Sequence, residues 1–138
     1  MKRLIDLLFA VLMLLIFLPL IMVAIIGIKL NSSGPVFYYA VRVGMTGKPF
    51  IMFKLRTMHM ASTENRGAVI TADGDERIFR FGRILRKTKV DELPQLLNIL
   101  IGDMSIVGPR PEDPKIVNQF YADWMKKTLC VRPGITSP

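Results

Sequence analysis

The most conspicuous pattern in the chain is an apolar run near its N-terminus. From Leu7 to Ile28 no residue is charged, and Asp6 and Lys29 bound the run. A membrane helix needs about 20 apolar residues, so this segment is long enough to enter a bilayer. The apolar core of a cleaved signal peptide is shorter, roughly 7 to 15 residues, so we interpret the run as part of the mature protein.

Pro19 lies near the middle of this run, where its ring removes a helical hydrogen bond and clashes with the preceding turn. We therefore predict a helix that is broken at Pro19. Basic residues flank both ends of the run, Lys2 and Arg3 before it and Lys29 after it, so positive charge opposes the export of either end. The pattern favours a re-entrant membrane helix over residues 1–30. A spanning helix with a proline kink is the alternative.

Residues 31–138 have the pattern of a small water-exposed domain. Alternation predicts a strand with Ile51, Phe53 and Leu55 on one face and Met52, Lys54 and Arg56 on the other. Glycines at positions 44 and 47 predict the turn of a hairpin before it. The polar stretch 62–76 has no clean periodicity and predicts a loop.

Three later segments have apolar residues at helical spacing. They are Arg77–Lys87, a segment from the capping residue Thr88 to a stop at Gly102, and Pro114–Thr128. The first is amphipathic enough to lie in a membrane interface. For the third, we expect core packing first and interfacial aromatic anchoring second. The predicted fold class is α+β, mostly helical, with short strands and amphipathic interfacial helices in one small cytoplasmic domain.

The charge balance indicates a phosphate-bearing partner. The 138-residue chain has 19 lysines and arginines against 11 acids, which gives a net charge of +8. Nucleic acid, lipid headgroups and phosphorylated substrates all fit this balance. One cysteine, Cys130, and one histidine, His59, exclude an internal disulfide and a zinc site built from those residue types.

Adjacent carboxylates in a basic field are the first candidate for chemistry. Asp91 and Glu92 follow a cluster of cations, namely Arg77, Arg80, Arg83, Arg86, Lys87 and Lys89. A carboxylate in such surroundings can accept a phosphoryl group or hold Mg²⁺ against a diphosphate. We expect the cations to lower the pKa of Asp91. The alternative is a pair of acids that only stabilises a helix N-terminus.

Arg110 is the second candidate, because Pro109 and Pro111 restrict the backbone on both sides of it. A guanidinium placed in this way is suited to bidentate phosphate binding, whereas the alternative is a stiff loop with an exposed arginine. Strand alternation adds Lys54 and Arg56, which we expect to point the same way.

These residues belong to a series of motifs that closely resembles, in order, the bacterial sugar transferase family, the monotopic phosphoglycosyl transferases. The motifs are Arg42-x-Gly44-x-x-Gly47-Lys48-Pro49-Phe50, Lys54-Leu55-Arg56-Thr57-Met58, Asp75-x-Arg77, Gly82-Arg83-x-Leu85-Arg86-Lys87-Thr88, Asp91-Glu92-Leu93-Pro94-Gln95-Leu96-x-Asn98, Gly102-Asp103-Met104-Ser105, Val107-Gly108-Pro109-Arg110-Pro111-Glu112 and Arg132-Pro133-Gly134-Ile135-Thr136.

The resemblance implies transfer of a sugar 1-phosphate from a UDP-sugar to undecaprenyl phosphate, with release of UMP, as the first step of glycoconjugate assembly. It implies that Asp91 is the nucleophile and contacts Mg²⁺, and that Glu92 assists attack by the lipid phosphate. Arg86 and Arg110 match phosphate-binding arginines of the family. The implied location is the cytoplasmic face of the bacterial inner membrane, where membrane lipid is a further partner and a homo-oligomer is possible.

The sequence departs from the family pattern in two places, and the second departure supports an alternative. Leu18 stands where the family commonly has serine, and the family's domain continues beyond the motif that ends at Thr136. The alternative is therefore a C-terminally short, non-catalytic module of the same fold that holds polyprenyl phosphate or a partner protein. A membrane-anchored nucleic-acid binder would explain the charge but not the acidic pair, so we expect no nucleic acid partner.

Overall fold

The computed structural model describes residues 1–59 and 75–137, so most of the loop predicted at 62–76 lies outside the described residues. The helices are α1 (Lys2–Asn31), α2 (Arg80–Lys87), α3 (Gln95–Ile101), α4 (Pro114–Phe120) and α5 (Asp123–Lys126). The strands are β1 (Phe37–Val43), β2 (Pro49–Leu55), β3 (Ser105–Val107) and β4 (Gly134–Thr136). Short 3-10 turns cover Met45–Gly47, Val90–Glu92 and Lys127–Cys130. This architecture confirms the predicted α+β, mostly helical fold class.

The N-terminal helix matches the predicted range of residues 1–30 closely, but it continues through Pro19. It is one helix of 30 residues with Pro19 inside it, so the predicted break is wrong as an interruption of the helix. A proline removes a single helical hydrogen bond, and the turns on either side can remain helical. By length and composition, α1 is sufficient to cross a membrane.

One face of α1 packs against the domain near both ends of the helix. Its buried residues recur at helical spacing and are Asp6, Ala10, Ile21, Ala24 and Ile28. Large apolar side chains on the rest of its surface are exposed, among them Leu4, Leu8, Leu12, Leu15, Ile16, Val23 and Ile26. The domain therefore contacts both ends of α1, and no residue between Ala10 and Ile21 is buried.

Two core clusters hold the two halves of α1. The first core cluster consists of Ala10, Ala40, Phe50, Met52, Leu96, Ile99 and Met104. The second core cluster consists of Ala24, Ile28, Leu55, Phe79 and Leu85. Because both clusters also contain residues of the hairpin, the apolar helix and the polar domain share one interior.

Strands β1 and β2 form the predicted hairpin, with Ala40 opposite Met52. The alternation is confirmed, but the buried face is the one that carries Met52, and Ile51 on the other face is exposed. Strand β2 ends at Leu55, so Arg56 does not continue the alternation that places Lys54.

The amide of Asn98 on α3 satisfies the free edge of β2. The backbone N–H of Phe53 donates to Asn98 Oδ1 over 3.0 Å, and Asn98 Nδ2 donates to the Ile51 carbonyl over 2.7 Å. Asn98 is fully buried, so water cannot replace these bonds. The Asn98 side chain thus makes the two hydrogen bonds that a neighbouring strand would otherwise make, and it joins α3 to the hairpin.

The region between α2 and α3 differs from the sequence-based expectation. The Thr88 hydroxyl donates to the carbonyls of Ile84 and Leu85, so Thr88 ends α2 and does not cap the next helix. Lys89 then adopts a left-handed conformation, with φ of 60°. This residue turns the chain into a 3-10 turn, and α3 begins only at Gln95.

The predicted helix over 114–128 is two shorter helices, α4 and α5, separated at Tyr121 and Ala122. Of the three large aromatic residues in this region, Phe120 is 71% exposed, Trp124 is 69% exposed and Tyr121 is half-buried. The expectation that core packing is their first role is therefore wrong, and only Val117 of this segment is buried. Two short helices do not hold the apolar residues on the single face that one continuous helix would provide.

We predict that Asn98→Leu lowers the free energy of unfolding by about 2–4 kcal/mol, because two buried backbone groups of β2 lose their partners. Thermal unfolding of the detergent-solubilised protein, followed by circular dichroism, measures this loss. Asn118→Leu at an exposed position of α4 is the matched control, with an expected change below about 0.5 kcal/mol. Equal stability of the two variants would contradict the role of Asn98.

Candidate active site

A cleft of about 720 Å³ lies between the hairpin, the α2–α3 connection and the loop after β3. The residues predicted to carry chemistry that line it are Lys54, Arg86, Asp91, Glu92 and Arg110. These residues come from separate parts of the chain, and the fold brings them together around one cleft. The cleft thus combines two carboxylates with several cations, as a site for a diphosphate requires.

Asp91 lies in the 3-10 turn that follows the left-handed residue Lys89. Its side chain is buried, and its Oδ1 atom has no hydrogen-bond partner among the described residues. An unpartnered carboxylate oxygen in a buried position costs stability, because water no longer solvates it. Asp91 also lines the cleft, so its carboxylate borders the space in which an electrophile or a cation would bind.

Burial raises the pKa of Asp91. The nearby cations Lys54, Arg86 and Lys89 act in the opposite direction, and the negative charge of Glu92 adds to the effect of burial. The expectation of a lowered pKa is therefore wrong. The physical reason is that loss of solvation outweighs the attraction of the cations.

Glu92 forms an ion pair with Lys54, with 3.0 Å between Glu92 Oε1 and Lys54 Nζ. Both side chains are about one-fifth exposed, at 21% and 22%. Lys54 reaches this position from the inward face of β2, as the strand alternation predicts. A phosphate in the cleft would compete with Glu92 for the lysine ammonium group.

Arg86 lies in the last turn of α2, where its Nε donates to the hydroxyl of Thr57 over 3.1 Å. Arg110 is exposed on the loop that follows β3. Two backbone hydrogen bonds to the β4 region hold this loop, Gly108 N to the Thr136 carbonyl and Gly134 N to the Pro109 carbonyl. The fold therefore adds to the stiffness that the two prolines predict.

Arg56 is the predicted site residue that the structure does not bring to the cleft. Its side chain is buried, and its guanidinium donates to the carbonyls of Ser33 over 2.7 Å and Ser32 over 2.9 Å. Its backbone N–H also donates to the Val36 carbonyl over 2.8 Å, so Arg56 lies beside the chain that leaves α1. The prediction of phosphate binding for Arg56 therefore has no support in its position, and we interpret Arg56 as a structural residue.

Sequence reasoning did not select several other residues of the cleft. Arg42 forms an ion pair with Asp113 over 2.9 Å, and both line the cleft with Lys89, Gln95 and Glu112. Arg42 has the same strand parity as Lys54 across the hairpin register, which is a signal that would have found it. Gln95 and Glu112 lie in the same motifs as Asp91 and Arg110, which is the only sequence signal for them.

The donor set fits Mg²⁺ bound in a particular way. Across residues 1–59 and 75–137, no three side chains of the His, Cys, Asp and Glu types converge on a point. Mg²⁺ commonly binds through one or two carboxylates and completes its shell with water and substrate phosphates. The free Oδ1 of Asp91 suits this mode, whereas an all-protein metal cage does not fit the described residues.

Comparison with known proteins gives the same family as the motifs. The sequence model described as Bacterial sugar transferase matches residues 1–138, so the chain belongs to the bacterial sugar transferase family. A UDP-glucose:undecaprenyl-phosphate glucose-1-phosphate transferase from Caulobacter vibrioides is 50% identical, with 98% of this chain and 51% of that protein covered.

Two further relatives are similar to the chain. The UDP-N-acetylgalactosamine-undecaprenyl-phosphate N-acetylgalactosaminephosphotransferase of Aeromonas hydrophila is 43% identical, covering 98% of this chain and 32% of that protein. A putative undecaprenyl-phosphate N-acetylgalactosaminyl 1-phosphate transferase of Bacillus subtilis is 48% identical, covering 86% and 66%. The chain thus spans between about one third and two thirds of the length of these relatives.

We predict that Asp91→Asn increases the free energy of unfolding at neutral pH by on the order of 1–2 kcal/mol, because the buried position no longer holds a charge. Because the folded-state pKa of Asp91 is raised, the wild-type carboxyl gains a proton as the pH falls, and the difference should shrink. Thermal unfolding of both proteins between about pH 8 and about pH 5 measures this trend.

Glu92→Gln is the matched control for this measurement. It also removes one negative charge from the cleft, but it breaks the ion pair with Lys54, so we expect no gain in stability. A lower stability of Asp91→Asn at every pH would show that the carboxylate is not a source of strain.

Proposed function

We propose that the chain transfers a sugar 1-phosphate from a UDP-sugar to polyprenyl phosphate such as undecaprenyl phosphate, through a covalent intermediate on Asp91. The observation that carries the proposal is the unpartnered Oδ1 of buried Asp91, in a cleft lined by Lys54, Arg86 and Arg110. The relatives named above support this reaction class, since their names specify undecaprenyl-phosphate sugar phosphotransferases.

In the first step, an oxygen of the Asp91 carboxylate attacks the phosphorus that carries the sugar. The bond from that phosphorus to the bridging oxygen breaks, and UMP leaves with this oxygen and its electron pair. In the second step, an oxygen of the lipid phosphate attacks the same phosphorus and breaks its bond to Asp91. The carboxylate is restored, and the lipid carries a diphosphate-linked sugar.

The cations of the cleft lower the barrier to attack by an anion on an anion. Arg86 and Arg110 supply guanidinium groups that can each bind two phosphate oxygens. Lys54 is shared between Glu92 and the phosphates, so substrate binding would release the Glu92 carboxylate. Glu92 is then free to accept the proton of an incoming lipid phosphate. When bound at Asp91, Mg²⁺ would neutralise developing charge on the diphosphate.

The packing of α1 supports a re-entrant arrangement on the cytoplasmic face of the inner membrane. At the N-terminal end, the Arg3 guanidinium donates to the carbonyls of Ile99 and Leu100. At the other end, Arg56 holds the chain where it leaves the helix. A domain with this charge cannot lie in hydrocarbon, so two helix ends held by it would lie on the same side.

We predict that wild-type protein incubated with UDP-glucose or UDP-N-acetylgalactosamine, without a lipid acceptor, releases at most one equivalent of UMP and gains the mass of one sugar phosphate. Asp91→Asn should lower the rate at least about a thousandfold, because an amide is a poor nucleophile toward phosphorus. Chromatography of the nucleotides and intact-protein mass spectrometry measure the two quantities.

Asp123→Asn is the matched control, because Asp123 is fully exposed and does not line the cleft. This variant should keep the wild-type rate. Glu92→Gln should retain UMP release and lose transfer to polyprenyl phosphate. UDP-sugar binding without UMP release would instead favour the non-catalytic binding module, and an adduct on another residue would exclude Asp91 as the nucleophile.

We predict that cysteines introduced at positions 2 and 31 react with a membrane-impermeant maleimide from the same side of sealed vesicles. The exposed native Cys130 marks the side of the domain in the unmodified chain, and Cys130→Ser provides the background for the two variants. All three positions should label from one side. Labelling of positions 2 and 31 from opposite sides would establish a spanning helix.

A further inference from the structure

Helix α2 lies so close to the segment after β2 that a side chain cannot fit between them. Gly82 is buried, and a Cβ atom there would overlap the carbonyl oxygen of Thr57. The carbonyl carbon and Cα of Thr57 would lie only 2.9 and 3.0 Å from that Cβ. Backbone atoms cannot rotate away as a flexible side chain can, so this contact sets the position of α2 against Thr57.

Arg86 follows Gly82 by one helical turn and lies on the same face of α2. Its Nε donates to Thr57 Oγ1 over 3.1 Å, and Thr57 is only 7% exposed. Water therefore has little access to this hydroxyl. One residue thus contacts α2 twice, through its backbone at Gly82 and through its side chain at Arg86.

The hydrogen bond from Arg86 Nε to Thr57 leaves the other donors of the guanidinium free. An arginine has five N–H donors in a rigid plane, and one of them is on Nε. When Nε is bonded, the plane is oriented and the four donors on the two Nη atoms remain for a ligand. A free arginine side chain loses about 1.5–2 kcal/mol of rotamer entropy on ordering, and a pre-oriented one loses less when the ligand binds.

We propose that Thr57 is a positioning residue that orients the Arg86 guanidinium toward the diphosphate of the donor. The proposal rests on the proposed function, in which Arg86 binds a donor phosphate. Thr57 itself does not line the cleft, so its effect on binding must pass through Arg86. The neighbouring residue Arg56 holds the exit of α1, so this short segment serves the membrane helix and the cleft together.

The test compares UDP binding by four forms of the full chain in detergent, with isothermal titration calorimetry. Thr57→Val removes the acceptor at nearly constant shape and should weaken binding by about 3- to 10-fold. Thr57→Ser keeps the hydroxyl and should remain within about twofold of wild type. Thr128→Val, at an exposed threonine outside the cleft, is the matched control and should bind like wild type.

A double-mutant cycle separates positioning from a general structural effect. If Thr57 acts through Arg86, Thr57→Val should cause no further loss of UDP binding in the Arg86→Ala background. Equal losses in both backgrounds would overturn the proposal. A Thr57→Ser variant as weak as Thr57→Val would also overturn it.

A measurement that does not require UDP binding tests the positioning role of Thr57 separately from the proposed function. The Arg86 Nε–H should exchange slowly with solvent in wild type and Thr57→Ser, and faster in Thr57→Val, as observed by nuclear magnetic resonance. Unchanged exchange in Thr57→Val would overturn the positioning role. Failure of the wild type to bind UDP would overturn the proposed function, and the exchange rates would still decide whether Thr57 holds Arg86.

Discussion

The two hydrogen bonds of the Asn98 amide are the interaction on which the geometry of the cleft depends. The hairpin contributes Lys54, and the α2–α3 connection contributes Asp91 and Glu92. A two-stranded sheet has a free edge, and a buried edge without partners would be costly. Asn98 satisfies that edge from α3, so the bonds that complete the hairpin also hold the two carboxylates opposite the lysine.

Asp91 illustrates a conflict between stability and chemistry. Burial opposes its charge, and its Oδ1 has no partner in the described part of the chain. A stable interior would supply a hydrogen bond or replace the carboxylate with an uncharged residue. An arrangement that withholds the partner keeps the carboxylate at the cleft wall free of protein hydrogen bonds at Oδ1, while the surrounding cations limit the cost of the charge. The strain therefore lies in the residue proposed to react.

The sequence predicted the elements better than their junctions. Strand alternation placed Lys54 correctly and failed for Arg56, because the carbonyls of Ser32 and Ser33 bind this guanidinium and periodicity carries no information about such contacts. Hydropathy identified α1, but it could not show that the helix continues through Pro19. The basic residues around Asp91 suggested a lowered pKa for its carboxyl group, because charges close in sequence can be read directly and burial cannot. The structure shows that burial raises this pKa. The errors at Arg56 and Asp91 arose where a long-range contact or burial overrides a local rule, whereas the error at Pro19 arose because a helix can continue past one lost hydrogen bond.

The packing of α1 makes the apolar helix part of the domain that forms the cleft. A Cβ at Gly27 would overlap the ring of Phe81, so α2 lies directly against the helix. On its other side, α2 lies against Thr57, which also contacts Arg86. A displacement of α1 would therefore move α2, and with it a cation of the cleft. Membrane anchoring and the geometry of the site thus depend on the same close contacts.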